Sequence, residues 1–158
     1  MGSKNKLKKF NENLNFQNLF QPSRDDVLKS NFKFKGNWND YFENSYPITL
    51  ELGCGKGEYS FELAKKYHNR NFIGIDIKGA RIWTGAKKST NLKMKNICFI
   101  RTNIDLIGNL FSDSEIDEIW ITFPDPQIKI QRKKHRLINE FYFSLYKRIL
   151  KKDGVIHL

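Results

Sequence analysis

The stretch from Ile48 to Tyr59 does most to limit what this chain can fold into. Ile48-Thr49-Leu50-Glu51-Leu52 is an apolar run of β character that carries an acid near its end. Gly53, Gly55 and Gly57 then alternate with other residues, and Tyr59, Leu63, Ala64 and Tyr67 follow at helical spacing. The pattern predicts a strand, a tight loop that lets a ligand approach the backbone, and a helix N-terminus. Two common phosphate-binding versions of such a unit do not match. The dinucleotide fingerprint needs a third glycine where Glu58 stands, and the phosphate loop needs Ser or Thr where Gly57 follows Lys56. What is left is acid-x-G-x-G-x-G.

The rest of the chain repeats the theme. Asn71 to Asp76 reads as a second strand ending in an acid, followed by a helix around Ala80 to Ser89 that is expected to bury Trp83 and Ala86. Ile97 to Ile100 reads as a third strand, Leu106 to Phe111 as a short helix, and Asp117 to Phe123 as a fourth strand. Leu137, Ile138, Phe141, Tyr142, Leu145, Ile149 and Leu150 mark a long amphipathic helix. Lys151-Lys152-Asp153-Gly154 is expected to close it, and Val155 to Leu158 begins a fifth strand. This alternation of apolar strands and helices predicts an α/β fold with a doubly wound, mostly parallel sheet. No turn signal follows the fifth strand, so C-terminal strands are expected to be missing and the sequence to be the N-terminal portion of a longer protein.

Residues 1–46 differ in character. Lys4, Lys6, Lys8 and Lys9 form a basic arm in which no period lasts, and it is expected to be mobile. Its lead-in carries Phe32, Phe34, Trp38, Tyr41 and Phe42, too many aromatics for a disordered tail, so that part is expected to pack on a domain spanning 47–158. A formal charge of +11 favours a polyanionic partner, nucleic acid above all. Cys54 and Cys98 fall at core-facing positions, which suits reduced thiols in the cytoplasm. No apolar stretch is long enough for a membrane span, and His68, His135 and His157 are too dispersed for a metal site.

Chemistry is expected at the carboxyl ends of the strands, where open α/β sheets bind ligands. Glu51 would repel a phosphate but suits an ammonium group. S-adenosylmethionine has an ammonium and a sulfonium and no phosphate, so it fits this loop better than NAD or ATP. Asp76, 23 residues after Gly53, is placed to take both ribose hydroxyls, and Asn103 to pair with adenine through an amide that donates and accepts. Each can instead cap a helix or close a turn. Pro124 and Pro126 bracket Asp125 and hold that carboxylate rigidly after the fourth strand. Five of the eight residues from Lys129 to Arg136 are Lys or Arg, a run that can hold RNA phosphates or simply face solvent.

Glu51 to Glu58, Phe72 to Asp76, and Phe123-Pro124-Asp125-Pro126 with the basic run after it together resemble bacterial tRNA (guanine-N7)-methyltransferases. The resemblance covers roughly Trp38 to Leu158. It implies a Rossmann-like class I methyltransferase fold and methyl transfer from S-adenosylmethionine to N7 of a guanosine in the tRNA variable loop. It implies that Glu51, Gly53, Gly55, Gly57, Asp76, Asn103 and Asp125 form the cofactor site and that Asp125 is catalytic. It also implies substrate contacts from Lys129, Gln131, Arg132, Lys133, Lys134, His135 and Arg136. Asn103 departs from the family's more common aspartate, and Gln127-Ile128 from its Trp followed by His or Pro. The family's later Thr-Asp and Gly-Thr-x-x-Glu elements would lie beyond Leu158, and a chain ending there is expected to be inactive. Two other readings stay open: a class I methyltransferase acting on another substrate, and a non-catalytic RNA-binding module on the same scaffold.

Overall fold

The computed structural model describes residues 2–122 and 137–158. Its centre is a six-stranded sheet, parallel throughout, in the order β1-β4-β3-β2-β5-β6. The strands are β1 (Leu19–Phe20), β2 (Ile48–Leu52), β3 (Asn71–Asp76), β4 (Ile97–Arg101), β5 (Ile116–Trp120) and β6 (Leu150–His157). From β2 the chain moves outward through α4 (Glu58–Lys66) to β3, and through α5 (Gly79–Asn91) to β4. It then crosses back, by a 3-10 turn (Ile104–Leu106) and α6 (Ile107–Leu110), to place β5 on the other side of β2. The strand order therefore reverses between β2 and β5, and open sheets of this kind bind ligands at the carboxyl ends beside such a reversal.

Alternation along each strand sends side chains to two cores. Leu50, Leu52, Ile73, Ile75, Cys98, Ile100 and Ile119 join Trp38, Phe111, Tyr146 and Ile149 on one face. Phe72, Ile97 and Phe99 meet Phe61, Ala64, Ile82 and Ala86 on the other. Burial on both faces is the usual consequence of the crossover connections that make a sheet parallel. Both cysteines are buried free thiols, as their positions implied.

The N-terminal segment corrects one expectation. Residues Gly2–Asn13 form a helix, α1, docked against α5. Its attachments are mostly polar: Asn13 Nδ2 donates to the Gly79 carbonyl at 3.0 Å, and Glu12 accepts from Trp83 Nε1 at 2.8 Å. Lys9 and Lys87 each sit 4.6 Å from the Trp83 ring centre. With no apolar repeat to show it, this helix left no hydrophobic period in the sequence. The short helices α2 (Arg24–Ser30) and α3 (Trp38–Phe42) follow, and the aromatic lead-in packs as expected. Phe32 and Phe20 pack edge-on at 5.5 Å, and Trp38 stacks toward Phe111 at 5.5 Å while its indole N–H donates to the Leu110 carbonyl.

Three further details differ. On α4 the inward face is Ser60, Phe61 and Ala64, while Tyr59 and Tyr67 are 39% and 40% exposed. On α5 Ile82 is buried with Ala86, and Trp83 lies half-covered beneath α1. The long helix, α7, spans only Glu140–Ile149, with the Asn139 side chain accepting from the Tyr142 N–H at its start. Its last carbonyls are satisfied by the N–H groups of Ser114 and Glu115, at 3.0 and 2.8 Å from Arg148 O and Ile149 O. No glycine cap is needed, and Leu150 already pairs with Ile116 in β6. Lys151 to Gly154 instead form a bulge in that strand, fixed by Lys151 Nζ on the Asp117 carboxylate at 2.8 and 3.0 Å.

Candidate functional site

At the carboxyl end of β2 the N–H groups of Gly53 and Cys54 both donate to the Ile75 carbonyl, at 2.8 and 3.0 Å. That pair folds the loop across the end of β3. Gly53, Gly55 and Gly57 all have left-handed φ, at +73°, +57° and +69°, so the alternation of glycines is a backbone requirement. A Cβ on Gly57 would also stand 2.8 Å from Phe99 Cζ, inside the second core.

Glu51 is 4% exposed. One carboxylate oxygen accepts from both the N–H and the hydroxyl of Ser60 in the first turn of α4. The other accepts from the Thr122 hydroxyl at 2.9 Å. Burial pushes its pKa up, against the downward pull of these hydrogen bonds. Glu51 thus ties together β2, α4 and the chain leaving β5, across the switch point. Each carboxylate oxygen can accept two hydrogen bonds, so the oxygen on Thr122 keeps capacity for a ligand donor.

Asp76 is fixed from two sides. Oδ2 accepts from the Gly55 N–H at 2.9 Å and Oδ1 from the Lys78 N–H at 2.8 Å. It therefore braces the glycine loop and closes a turn, yet each oxygen retains a second acceptor site at a set angle. Asn103 follows β4 beside it. Its side chain makes no capping hydrogen bond; the turn is closed by the Leu106 N–H on its backbone carbonyl at 3.1 Å. The amide that the sequence could also assign to a cap is not used as one.

The fold thus brings Glu51, Gly53, Gly55, Gly57, Asp76 and Asn103 to one edge of the sheet. Asp125, Lys129, Gln131, Arg132, Lys133, Lys134, His135 and Arg136 lie outside the described residues. Three residues at this edge were not foreseen as parts of the site. Ser60 and Thr122 hold Glu51, and the guanidinium of Arg81 lies along Gly55. Ser60 sits nine residues past Glu51, a helix-start position at which a hydroxyl partner is readable in hindsight. Arg81 had no local signal. Among the described residues, no group of three or more His, Cys, Asp or Glu side chains could hold a metal, and no helix is long and apolar enough to cross a membrane.

A glycine loop braced by Asp76, with Glu51 buried just before it at the switch point of a parallel sheet, is the arrangement of a class I methyltransferase fold. Solved structures agree on that fold: the antibiotic-resistance methyltransferase Kmr aligns with TM-score 0.62 at 14% identity, covering 76% of this chain and 62% of that one. A 30S ribosomal A1408 methyltransferase from an uncultured bacterium aligns with TM-score 0.59 at 22% identity, covering 77% and 57%. The sequence model of a family described as "Putative methyltransferase" matches residues 45–158. A tRNA (guanine-N(7)-)-methyltransferase of Christiangramia forsetii is 56% identical, over 100% of this chain and 71% of its own length. One from Bacteroides thetaiotaomicron is 45% identical, over 98% of this chain and 61% of its own length. The chain belongs to the tRNA (guanine-N(7)-)-methyltransferase family.

Proposed function

We propose that this chain transfers the methyl group of S-adenosylmethionine to N7 of a guanosine in tRNA, in the variable loop. The observation that carries the cofactor half is the loop of three left-handed glycines between Glu51 and Asp76. Its two carboxylates are acceptors, which fit the N–H and O–H donors of an ammonium and a ribose diol and would repel a phosphate set against them. The relatives' names supply the base and the atom.

In this reading Glu51 receives the ammonium group, Asp76 the two ribose hydroxyls and Asn103 the adenine edge. The cofactor, when bound, supplies an electrophilic methyl group on sulfur. Guanine N7 carries a lone pair and no proton, so no residue has to act as a base toward it. The chain's task is alignment, worth several powers of ten when the reacting atoms are held in line. Asp125 holds the amino edge of the base and stabilises the positive charge that develops on guanine. Lys129, Gln131, Arg132, Lys133, Lys134, His135 and Arg136 hold the RNA backbone, positioning it without reading sequence. Residues 47–158 carry this chemistry in the cytoplasm, with 1–46 as lead-in.

Unmodified tRNA incubated with cofactor labelled in its methyl group tests the proposal. Label at N7 of a variable-loop guanosine is the expected outcome, and label elsewhere would refute the assignment. Asp125→Asn should transfer methyl slowly even at saturating cofactor; near-normal transfer would remove Asp125 from its role.

A further inference from the structure

Arg81 lies in the first turn of α5, and its N–H donates to the Lys78 carbonyl at 2.9 Å. Its side chain turns back onto the glycine loop. A Cβ built on Gly55 would stand 3.1 Å from Nη2, 3.4 Å from Cζ and 3.7 Å from Nε, so the guanidinium lies along that glycine. The acids nearby are otherwise engaged: Asp76 by the N–H groups of Gly55 and Lys78, Glu51 by Ser60 and Thr122. Among the described residues no carboxylate comes within ion-pair distance of Arg81. A cation is therefore held against the backbone segment built for close ligand approach, with no carboxylate among the described residues paired to it.

We propose that Arg81 is the carboxylate-binding residue of the cofactor site, taking the α-carboxylate of S-adenosylmethionine. The inference rests on the cofactor reading above. That molecule carries one anionic group, next to its ammonium. The loop's own acids suit the ammonium and the diol, and they would repel the carboxylate unless a cation stood between. Arginine supplies it in the right shape, a planar fork whose paired N–H donors match a carboxylate and which stays charged at any working pH. Lys56, on the same loop and solvent-exposed as Arg81 is, serves as a control cation.

Calorimetry of the full chain separates this role from simple loop packing, using S-adenosylmethionine and its decarboxylated analogue, which keeps the sulfonium, amine and adenosine. Arg81→Met preserves the length of the stem and removes the charge. It should weaken S-adenosylmethionine binding about tenfold or more and leave the analogue's affinity unchanged. Arg81→Lys should fall between wild type and Arg81→Met, and Lys56→Met should change neither ligand. Melting temperatures within a degree or two of wild type establish that each variant is folded. Equal losses for both ligands would overturn the proposal in favour of a loop-packing role. Unchanged cofactor affinity with weaker tRNA binding would overturn it in favour of a phosphate contact. If the wild-type chain bound no S-adenosylmethionine, the cofactor reading itself would fall, and this inference with it.

Discussion

Gly57 offers the sharpest test of why the glycine loop has the sequence it does. Alanine there must adopt φ near +69°. An L-residue with a Cβ in that region costs about 1–2 kcal/mol. The added methyl would also stand 2.8 Å from Phe99 Cζ. Phe99 is fully buried and cannot easily yield, because Gly74 and Gly85 also approach its ring: a Cβ on either would lie within 2.8 Å of it. Overpacking of that kind costs about 1–3 kcal/mol. The sum for Gly57→Ala is about 2–5 kcal/mol, a large share of the roughly 5–15 kcal/mol that holds a domain together. Gly53→Ala is the control. Its φ is +73°, but the nearest neighbour of its Cβ is Leu137 Cδ1 at an ordinary 3.8 Å, so only the backbone cost of about 1–2 kcal/mol applies. At about 2–4 °C per kcal/mol for a chain of this size, melting should fall by roughly 4–20 °C for Gly57→Ala and 2–8 °C for Gly53→Ala. Thermal unfolding followed by circular dichroism gives both values. Phe99→Leu should recover part of the loss in the Gly57→Ala background, since it removes the atoms struck. If the two glycine variants melted together, the close approach to Phe99 would have no energetic meaning and the argument would be wrong.

Other expectations concern single side chains. Burial raises the pKa of Glu51, so the folded state holds its proton more tightly than the unfolded chain; its contribution to stability is fully present below the ordinary glutamate range and is lost as pH rises through the raised value. Glu51→Gln should therefore gain stability relative to wild type across that rise, with little difference below it, while binding S-adenosylmethionine more weakly; parallel stability–pH curves would show that the carboxylate is not buried as described. Asp76→Asn leaves a single acceptor oxygen for the N–H groups of Gly55 and Lys78, and should weaken cofactor binding about tenfold in calorimetry. Unchanged affinity would exclude both the brace and the ribose contact. Trp38→Phe removes the indole donor on the Leu110 carbonyl and should cost about 1–3 kcal/mol in urea unfolding; a neutral result would mean that this carbonyl finds another partner.

The parts of the fold that announce themselves in the sequence are those driven by apolar burial. β2, β3 and β4 are buried on both faces, so their runs of Ile, Leu and Phe stand out and their ends are marked by Leu52, Asp76 and Arg101. The glycine loop was legible for a different reason, because three left-handed residues in alternation leave almost no choice of side chain. α1 was not legible, since its anchors are Asn13, Glu12 and the cations around Trp83, and polar contacts across dozens of residues leave no local period. β1 leaves no signal because two residues, Leu19 and Phe20, are too few to alternate. The end of α7 carries no local mark, because its cap comes from Ser114 and Glu115, distant in sequence, and not from Gly154. At the site the strand-end acids can be picked out singly. Their partners, Ser60 and Thr122 for Glu51 and Gly55 for Asp76, cannot, because they depend on which strands become neighbours.

The two residues of β1 also govern how the molecule meets other molecules. Leu19 and Phe20 pair with Phe99 and Ile100, and so occupy the flank of β4, one of the most apolar strands in the sheet. A chain shortened past residue 20 would leave that flank with unpaired N–H and C=O groups beside a fully buried hydrophobic run, a template for another strand of the same kind. Such a variant should associate edge to edge as its concentration rises. The short strand thus covers the part of the β4 edge at Phe99 and Ile100.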